Sequence, residues 1–353
     1  MTRKLFIPGP VDVAPDVLQQ MNRRIIGHRG EEISKLLSEE VYKLKKFMYT
    51  DNNVFLSTSS STGLMEAAAR NCIRKKCLCL ANGAFGKRWH EIVVRNGKQA
   101  DRVEVEWGKA ITPELVDEKL KEDDYDALTL VHNETSTGVC NPIYEISKVV
   151  KDYEVSFLVD SVSSMGGIKL EVDKLEIDVC LFGVQKAMAL PPGLAICSVS
   201  DSVLEKAKEI QNRGYYFDFL NFSKYWKKRQ TPTTPAIPQI YALNYQLDKI
   251  FEEGLENRYR RHKKMAEFVR GWAKKRFELF PEEKFASNTV TCVKNSRGID
   301  MTDLLGKLQS RGYIVSNGYG KLKNKTFRIA HMGETTLDEV EELLTVIDDI
   351  IRE

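Results

Sequence analysis

Two residues at the ends of predicted strands could together hold an aromatic cofactor. Asp160 closes the apolar run SFLVD, and Lys186 follows the apolar run DVCLFGV, 26 residues further along. That separation is about one strand–helix–strand unit, and open α/β sheets bind ligands at the carboxyl ends of their strands. An amine there can form a Schiff base with pyridoxal phosphate, and a carboxylate can keep the pyridine nitrogen protonated. An exposed lysine and a capping aspartate are the alternative, which the pair alone leaves open.

A run of hydroxyl side chains, Ser57–Thr62, lies between the apolar run NVFLS and a helix expected from Gly63. Hydroxyl groups and free backbone N–H groups at a helix N-terminus attract anions, and phosphate is a common ligand there. A serine-rich linker is the alternative, but a linker does not normally join a buried strand directly to a helix. We therefore predict a phosphate-binding site in this run.

The elements that must position these residues alternate between strands and helices. The apolar runs typical of strands are NVFLS, KCLCLAN, DRVEVEW, DALTLVHN, SFLVD, DVCLFGV and LAICSVS. Helical periods lie between them: 15–22, 31–48, and helices from Gly63, from Lys87, near Pro113 and from Ile146. This alternation predicts a mostly parallel sheet with helices on both faces.

The pattern changes after about Pro235. One long helical period runs from Ile237 towards Phe280 and is expected to form the hinge to a second region. Short strands (NTVTCV, YIVSNG, KTFRIAHM) follow it, together with helices at Met301–Gln309 and from Thr336. Strands and helices without strict alternation predict a smaller α+β domain.

Composition limits the possible partners. The chain has 353 residues with 53 Lys+Arg against 50 Asp+Glu, so it lacks the basic excess of a nucleic-acid-binding protein. No apolar stretch approaches the roughly 18 residues of a membrane helix, and the first residues lack the features of a secretory signal. The seven scattered cysteines predict free thiols rather than disulfides or zinc ligands. We therefore expect a cytoplasmic protein with no nucleic-acid, membrane or metal partner.

Eight segments occur in a particular order along almost the whole chain: FIPGPVDVAP, the serine-rich STG–MEAA segment, ANGAFGKRW, HNETSTGV, LVDSVSSMGG, GVQKAMALPPGLA, TPTTPAIP and FRIAHMGE. Together they resemble the class V aminotransferases of pyridoxal-phosphate fold type I, particularly the alanine–glyoxylate and serine–pyruvate branch. The resemblance implies an α/β fold, with a large cofactor-binding domain over 16–245. A smaller α+β domain would combine 1–15 with 246–353.

The resemblance also implies roles for individual residues. Lys186 would form the Schiff base and move the substrate proton, and Asp160 would pair with the pyridinium nitrogen. The implied cofactor contacts are Ser60, Ser61, Thr62 and Gln185 at the phosphate, Phe85 stacked on the ring, Thr135 or Ser136 near the ring hydroxyl, and Thr231 and Thr234 at the phosphate of the neighbouring subunit. The implied substrate contacts are Gly9, His28, Arg29 and Arg328, the last clamping the α-carboxylate with its bidentate fork. The active sites would then lie at the interface of a homodimer.

For the reaction, the resemblance implies a ping-pong transfer from a small amino acid such as serine or alanine to glyoxylate or pyruvate. His28 and Arg29 resemble a pair that binds the substrate phosphate in phosphoserine aminotransferases, although Arg29 could instead pair with Glu31 or Glu32. Phosphoserine or aspartate with 2-oxoglutarate is therefore the alternative substrate pair.

Cysteine desulfurases share this fold type and are a further alternative. They carry a histidine before the lysine and a nucleophilic cysteine in a mobile C-terminal loop. Here Gln185 precedes Lys186, and Cys292 lies in the predicted strand NTVTCV. Both features disfavour a desulfurase.

Overall fold

In the computed structural model, which describes residues 3–352, two β-sheets organise the chain. The strands are β1 (Lys4–Phe6), β2 (Asn53–Ser57), β3 (Lys76–Ala81), β4 (Gln99–Glu104), β5 (Ala127–Val131), β6 (Asn133–Glu134), β7 (Val139–Cys140), β8 (Ser156–Asp160), β9 (Val179–Gly183), β10 (Ala195–Val199), β11 (Glu278–Leu279), β12 (Val290–Lys294), β13 (Tyr313–Asn317) and β14 (Thr326–Ala330). The helices are α1 (Pro15–Gln20), α2 (Glu31–Met48), α3 (Ser61–Cys72), α4 (Ala84–Arg95), α5 (Pro113–Leu120), α6 (Ile143–Val150), α7 (Asp201–Ala207), α8 (Phe219–Trp226), α9 (Ile237–Glu253), α10 (Leu255–Arg276), α11 (Met301–Ser310) and α12 (Leu337–Arg352).

The larger sheet has seven strands in the order β2-β10-β9-β8-β5-β3-β4. Strand β10 is antiparallel to both of its neighbours, and the pairs from β9 to β4 are parallel. The predicted α/β fold with a mostly parallel sheet is confirmed. Since parallel strands end at the same edge, the loops after β3, β5, β8 and β9 are brought together.

Helices cover both faces of this sheet, and successive residues of each strand serve opposite faces. In β3, Leu78 and Leu80 pack under α2, α5, α6 and α9, whereas Cys77 and Cys79 pack under α3, α4, α7 and α8. Both faces are therefore buried, which explains why the strand sequences are almost continuously apolar.

The second sheet has five strands in the order β1-β13-β14-β12-β11. Its core packs against α10, α11 and α12. Strand β1, which lies parallel to β13, was not predicted as a strand. The domain limits at 15 and 245 stay predictions, and residues 1, 2 and 353 of the predicted small domain lie outside the described residues.

Several predicted helix boundaries are wrong. The single long helix from Ile237 is two helices, because Gly254 adopts φ 81°, a left-handed conformation that ends α9 before α10 begins. Helix α3 begins at Ser61 rather than Gly63, and α4 begins at Ala84 rather than Lys87. Helices α7 and α8 were not predicted.

A buried arginine links α10 to the loop after β9. The Arg258 side chain is only 1% exposed, although arginine is almost never buried unless it is paired. Its guanidinium donates hydrogen bonds to Gly166 O (2.9 Å), Ala187 O (2.7 Å), Gly333 O (3.3 Å), Glu253 (2.7 Å) and Glu334 (3.2 Å). Arg258 therefore fixes three backbone segments around the residue that follows Lys186.

Candidate active site

Asp160 and Lys186 lie at the carboxyl edge of the seven-stranded sheet. Asp160 is the last residue of β8, and Lys186 comes three residues after β9 ends at Gly183. The two strands are adjacent and parallel, with Asp160 opposite Leu181. Each of the two charges shifts the pKa of the other group, so the structure brings the two predicted residues together.

Lys186 is enclosed by the segment that follows β1. Its Nζ donates a hydrogen bond to the Pro8 carbonyl. Gly9 adopts φ 93°, a left-handed conformation that favours glycine, and a Cβ atom there would lie 2.5 Å from Lys186 Cδ and 2.7 Å from Nζ. Burial, and then the positive charge of Arg328, lower the pKa of Lys186 to about 8. The neutral amine that a Schiff base requires is therefore accessible at mildly alkaline pH.

Asp160 is buried, and burial raises its pKa to about 7. The backbone N–H of Val162 donates to Oδ1 at 2.8 Å and opposes this rise, whereas the negative charge of Glu134 adds to it. A cation placed beside Asp160 would favour the charged carboxylate and reverse the shift. The site is therefore electrostatically suited to a protonated pyridine nitrogen.

The predicted phosphate site surrounds the start of α3. Ser60 precedes the helix without capping it through its side chain, and Ser61 Oγ is buried without a hydrogen-bond partner. A side chain at Gly183 would collide with both Ser61 Oγ and Gln185 Oε1, so these two polar atoms face the same space. Ser60 and Thr62 are exposed, which leaves one side of this site open in a single chain.

The structure does not bring Thr231, Thr234, His28 and Arg29 to Lys186 of the same chain. Thr231 Oγ donates to Thr233 O at 2.7 Å, and Thr234 is exposed. Arg29 donates to Thr231 O (2.5 Å) and Pro232 O (3.1 Å), and not to Glu31 or Glu32. His28 is half-buried. Arg29 therefore holds the threonine segment, and the predicted contacts across a dimer interface stay predictions.

Ser136 contacts the start of α4, where Phe85 lies, and Thr135 is hydrogen-bonded to a different segment. Phe85 lies in the first turn of the helix, and Ser136 Oγ accepts a hydrogen bond from Ala84 N at 2.9 Å. Thr135 Oγ is 2.7 Å from Ser163 Oγ. Both hydroxyls are buried and already hydrogen-bonded within the chain.

Sequence reasoning missed a carboxylate in this group. Glu134, from the hairpin β6–β7, is fully buried and accepts hydrogen bonds from the first turn of α4. The sequence feature that could have revealed Glu134 is its position as an acidic residue in the otherwise uncharged stretch NETSTGVC, shortly after a buried strand.

Arg328 enters the site from β14 of the second sheet. It is only 8% exposed, its Nη1 donates to Thr135 O (3.3 Å) and its Nε to Asn317 O (3.2 Å). Its guanidinium carbon lies 5.5 Å from the centre of the Tyr319 ring. The positive charge of Arg328 also lowers the pKa of Lys186.

A second arginine, Arg88, was also missed. Its guanidinium carbon lies 4.7 Å from the centre of the Phe85 ring, and Nη2 donates to the Tyr319 hydroxyl at 3.0 Å. The charge of Arg88 lowers the pKa of both Asp160 and Lys186. Two cations therefore act on the same lysine.

The cysteines and acidic residues offer little alternative chemistry. Cys292 is buried in β12 opposite Arg328, as expected of a strand residue and unlike a mobile nucleophile. Within residues 3–352, no cluster of three or more His, Cys, Asp or Glu side chains could hold a metal ion. None of the helices in that part of the chain is long and apolar enough to span a bilayer.

Comparison with known proteins decides the family. The sequence model described as "Aminotransferase class-V" matches residues 16–343. The chain belongs to the class V aminotransferases. Members of this family use pyridoxal phosphate, so the protein is a pyridoxal-phosphate-dependent aminotransferase and the predicted family is confirmed.

Individual relatives agree with this assignment. The aminotransferase is 44% identical to an uncharacterised aminotransferase of Methanocaldococcus jannaschii, over 99% of this chain and 92% of the relative. It is 33% identical to the serine–glyoxylate aminotransferase of Arabidopsis thaliana, over 99% of this chain and 90% of the relative. The alanine–glyoxylate aminotransferase structure from Nostoc sp. superimposes with a TM-score of 0.94 at 28% identity, covering 100% of this chain and 96% of that one. The expected fold type I is confirmed.

The residues present fit pyridoxal phosphate. The unpartnered Ser61 hydroxyl at a helix N-terminus suits a phosphate oxygen. The pKa of Asp160 stays raised by burial despite the charges of Lys186 and Arg88, and a further cation such as a pyridinium would stabilise its carboxylate. The depressed pKa of Lys186 suits Schiff-base formation.

Proposed function

We propose that this aminotransferase moves the amino group of a small amino acid, serine or alanine, to glyoxylate or pyruvate in two half-reactions. The single observation that carries the proposal is the position of Lys186, enclosed by Pro8 and Gly9 and influenced by Asp160 and Arg328. The likeness to serine–glyoxylate and alanine–glyoxylate aminotransferases supports this choice of substrates.

Lys186 and Asp160 would share the proton chemistry. When bound, pyridoxal phosphate supplies the carbonyl carbon for the Schiff base and the ring that accepts the electron pair. Lys186 Nζ would accept the proton removed from the substrate α-carbon, hold it, and release it again in the same half-reaction. Its lowered pKa suits an amine that must accept and release a proton in each cycle. Asp160 would keep the pyridine nitrogen protonated.

Binding would divide among three groups of residues. Ser60, Ser61, Thr62 and Gln185 would hold the phosphate, and Phe85 would stack on the ring. Thr135 or Ser136 would lie near the ring hydroxyl. Arg328 would bind the substrate α-carboxylate, supported by its buried guanidinium and its two hydrogen bonds to backbone carbonyls, which fix its orientation.

We further propose that the working enzyme is a homodimer. In one chain, Ser60 and Thr62 are exposed at the phosphate site, and a second copy would cover them with its Thr231 and Thr234. Several exposed aromatic and apolar side chains support an interface: Ile25, Tyr42, Tyr215 and Tyr216. The cytoplasmic location remains our proposal, supported by seven unpaired cysteines.

Borohydride trapping tests the cofactor assignment. Reduction of the purified yellow enzyme should fix the label on the peptide containing Lys186. Lys186→Ala should lose the label, whereas Lys174→Ala, which changes an exposed lysine, should keep it. Labelling of another lysine would overturn the assignment.

A panel of donors and acceptors tests the substrates. We expect the highest kcat/KM for serine or alanine paired with glyoxylate or pyruvate. If aspartate or O-phosphoserine with 2-oxoglutarate is faster, the choice of substrates is wrong while the cofactor assignment stands.

Subunit mixing tests the shared site. Lys186→Ala and Thr231→Ala homodimers should each have low activity. Hybrids should regain activity, because one site of each hybrid has both an intact Lys186 and an intact Thr231 from its partner. No recovery would contradict the shared site.

An acidic donor, aspartate or O-phosphoserine, is the second candidate. It is favoured by Arg88, a second cation whose charge acts on Lys186. A side-chain carboxylate or phosphate is the group that such a guanidinium binds. If this candidate holds, Arg88→Gln should lower kcat/KM for aspartate at least about tenfold more than for serine, about 1.4 kcal/mol. The exposed Arg95 on the same helix provides the control, Arg95→Gln.

A further inference from the structure

We propose that Glu134 is a positioning residue that fixes the start of α4, and with it the ring of Phe85, for cofactor binding. The inference rests on the proposed stacking role of Phe85. Glu134 lies outside the set of residues assigned to the cofactor or the substrate above.

The four hydrogen bonds of Glu134 carry the argument. Its Oε2 accepts from the backbone N–H groups of Phe85 (3.0 Å) and Gly86 (3.1 Å). Its Oε1 accepts from Ser136 N (3.1 Å) and Ser136 Oγ (2.6 Å). All four donors are neutral, and Glu134 is fully buried. A buried carboxylate with four donors is satisfied at every oxygen, so its position is closely determined.

Helix α4 depends on this carboxylate because it cannot cap itself. The residue at its N-cap is Gly83, which has no side chain to accept a first-turn N–H. A side chain at Gly83 would collide with Glu134 Cγ and with Ser136 Oγ. Glu134 and Ser136 therefore act as an external cap, supplied by the hairpin β6–β7, for the N–H groups of residues 84–86.

The cap has two consequences for the site. The Phe85 amide is held directly, so the direction of the Cα–Cβ bond from which its ring extends follows the position of Glu134. The negative charge also occupies the favourable electrostatic position at the N-terminus of α4. At the start of α3, by contrast, the Ser60 side chain makes no capping hydrogen bond, and Ser61 Oγ has no partner in the described part of the chain.

Glu134→Gln is the informative change. The amide keeps the size of the carboxylate, but its NH₂ group must face either the two N–H groups of α4 or the N–H and O–H groups of Ser136, so two donors lose their acceptor. We expect the dissociation constant of pyridoxal phosphate for the apoenzyme to rise about 10- to 100-fold, the range for unsatisfied buried hydrogen-bonding groups. The circular dichroism of the bound chromophore should decrease, because the ring is held less firmly.

The matched control is Glu40→Gln. Glu40 is also a fully buried glutamate, located on α2 and without a hydrogen-bond partner for either oxygen. The Glu40→Gln substitution should leave the cofactor affinity and the circular dichroism of the chromophore unchanged. If Glu40→Gln weakens cofactor binding as much as Glu134→Gln, the effect belongs to buried carboxylates in general and the proposal is wrong.

A double-mutant cycle separates positioning from general stability. If Glu134 acts through the Phe85 ring, the loss of affinity from Glu134→Gln should be much smaller in a Phe85→Ala background. Full additivity would overturn the proposal, as would a Phe85→Ala enzyme with unchanged affinity. If Glu134→Gln does not fold, Glu134→Asp replaces it in the cycle, because it keeps the charge but shortens the reach.

The outcomes distinguish this proposal from the proposed function. An unchanged dissociation constant for pyridoxal phosphate in Glu134→Gln, together with a normal Lys186 label, would overturn the role of Glu134 and leave the aminotransferase assignment intact. Absence of the Lys186 label in the unmodified enzyme would overturn the proposed function itself.

Discussion

Replacing Arg258 with alanine should destabilise the enzyme more than any surface substitution on the same helix. The change removes a guanidinium that is 1% exposed and that donates to the backbone carbonyls of Gly166 and Ala187. Alanine leaves those carbonyls without a donor and opens a space inside the protein. Both effects lower the free energy of unfolding.

The expected loss in free energy of unfolding depends on which partners the neighbouring carboxylates keep once the guanidinium is gone. Breaking a buried ion pair by removing one partner costs about 3–5 kcal/mol. Here Glu253 keeps Arg261 at 2.6 Å, and Glu334 keeps the amide of Gln246 at 2.9 Å. Both carboxylates are also partly exposed, at 26% and 32%. We therefore expect the low end, about 3 kcal/mol, for Arg258→Ala.

Urea unfolding, followed by circular dichroism at saturating cofactor, provides the assay. The control is Arg260→Ala, which removes an exposed arginine whose guanidinium bonds the exposed Asn257 and should change the free energy of unfolding by less than about 0.5 kcal/mol. Arg258→Lys should lose most of the stabilisation that Arg258 provides, because lysine lacks the planar guanidinium with its several donors. Because Ala187 follows Lys186, kcat should also fall in Arg258→Ala. A loss no larger than that of Arg260→Ala would refute the reasoning.

Four further predictions concern the site. Asp160→Ala should lower transamination by more than the roughly 10²–10⁴-fold range of general acid–base catalysis while the fold survives, and steady-state kinetics with circular dichroism checks both. In the apoenzyme, the raised pKa of Asp160 makes stability fall as pH rises from its ordinary range towards about 7; Asp160→Asn should remove this slope in pH-dependent unfolding. The rate of apoenzyme reconstitution should rise with pH through about 8, where Lys186 becomes neutral, and Arg328→Gln should move this midpoint upward; an unmoved midpoint contradicts the assigned charge effect. Arg29→Ala should lower kcat/KM similarly for serine and O-phosphoserine, because Arg29 bonds the backbone of Thr231; a selective loss for O-phosphoserine would instead assign Arg29 to the substrate phosphate.

The sequence predicts the parts of the site that depend on local pattern. Asp160 and Lys186 could be placed at one edge because apolar runs ending in a polar residue define the strands and their direction. The serine run could be placed before a helix for the same reason, although α3 starts two residues earlier than expected. Serine and threonine in a first turn read equally well as loop or helix, so the boundary is ambiguous.

The parts that were missed depend on contacts between distant segments. Arg88 meets Tyr319 across 231 residues, and Glu134 meets Phe85 across 49. The periodic pattern of apolar residues along a short segment does not indicate which distant segments will contact each other. The break at Gly254 was missed for a different reason, since the apolar and charged pattern of α9 and α10 continues through one glycine that only its positive φ reveals as a helix end.

The pairing of β1 with β13 has a consequence for synthesis on the ribosome. Lys4 is paired with Tyr313, so the strand that leads into the Pro8–Gly9 segment has no partner until more than 300 further residues have been made. At about 5–20 residues per second, this delay is on the order of 15–60 s. The lysine loop is therefore complete well before the segment that encloses it is anchored.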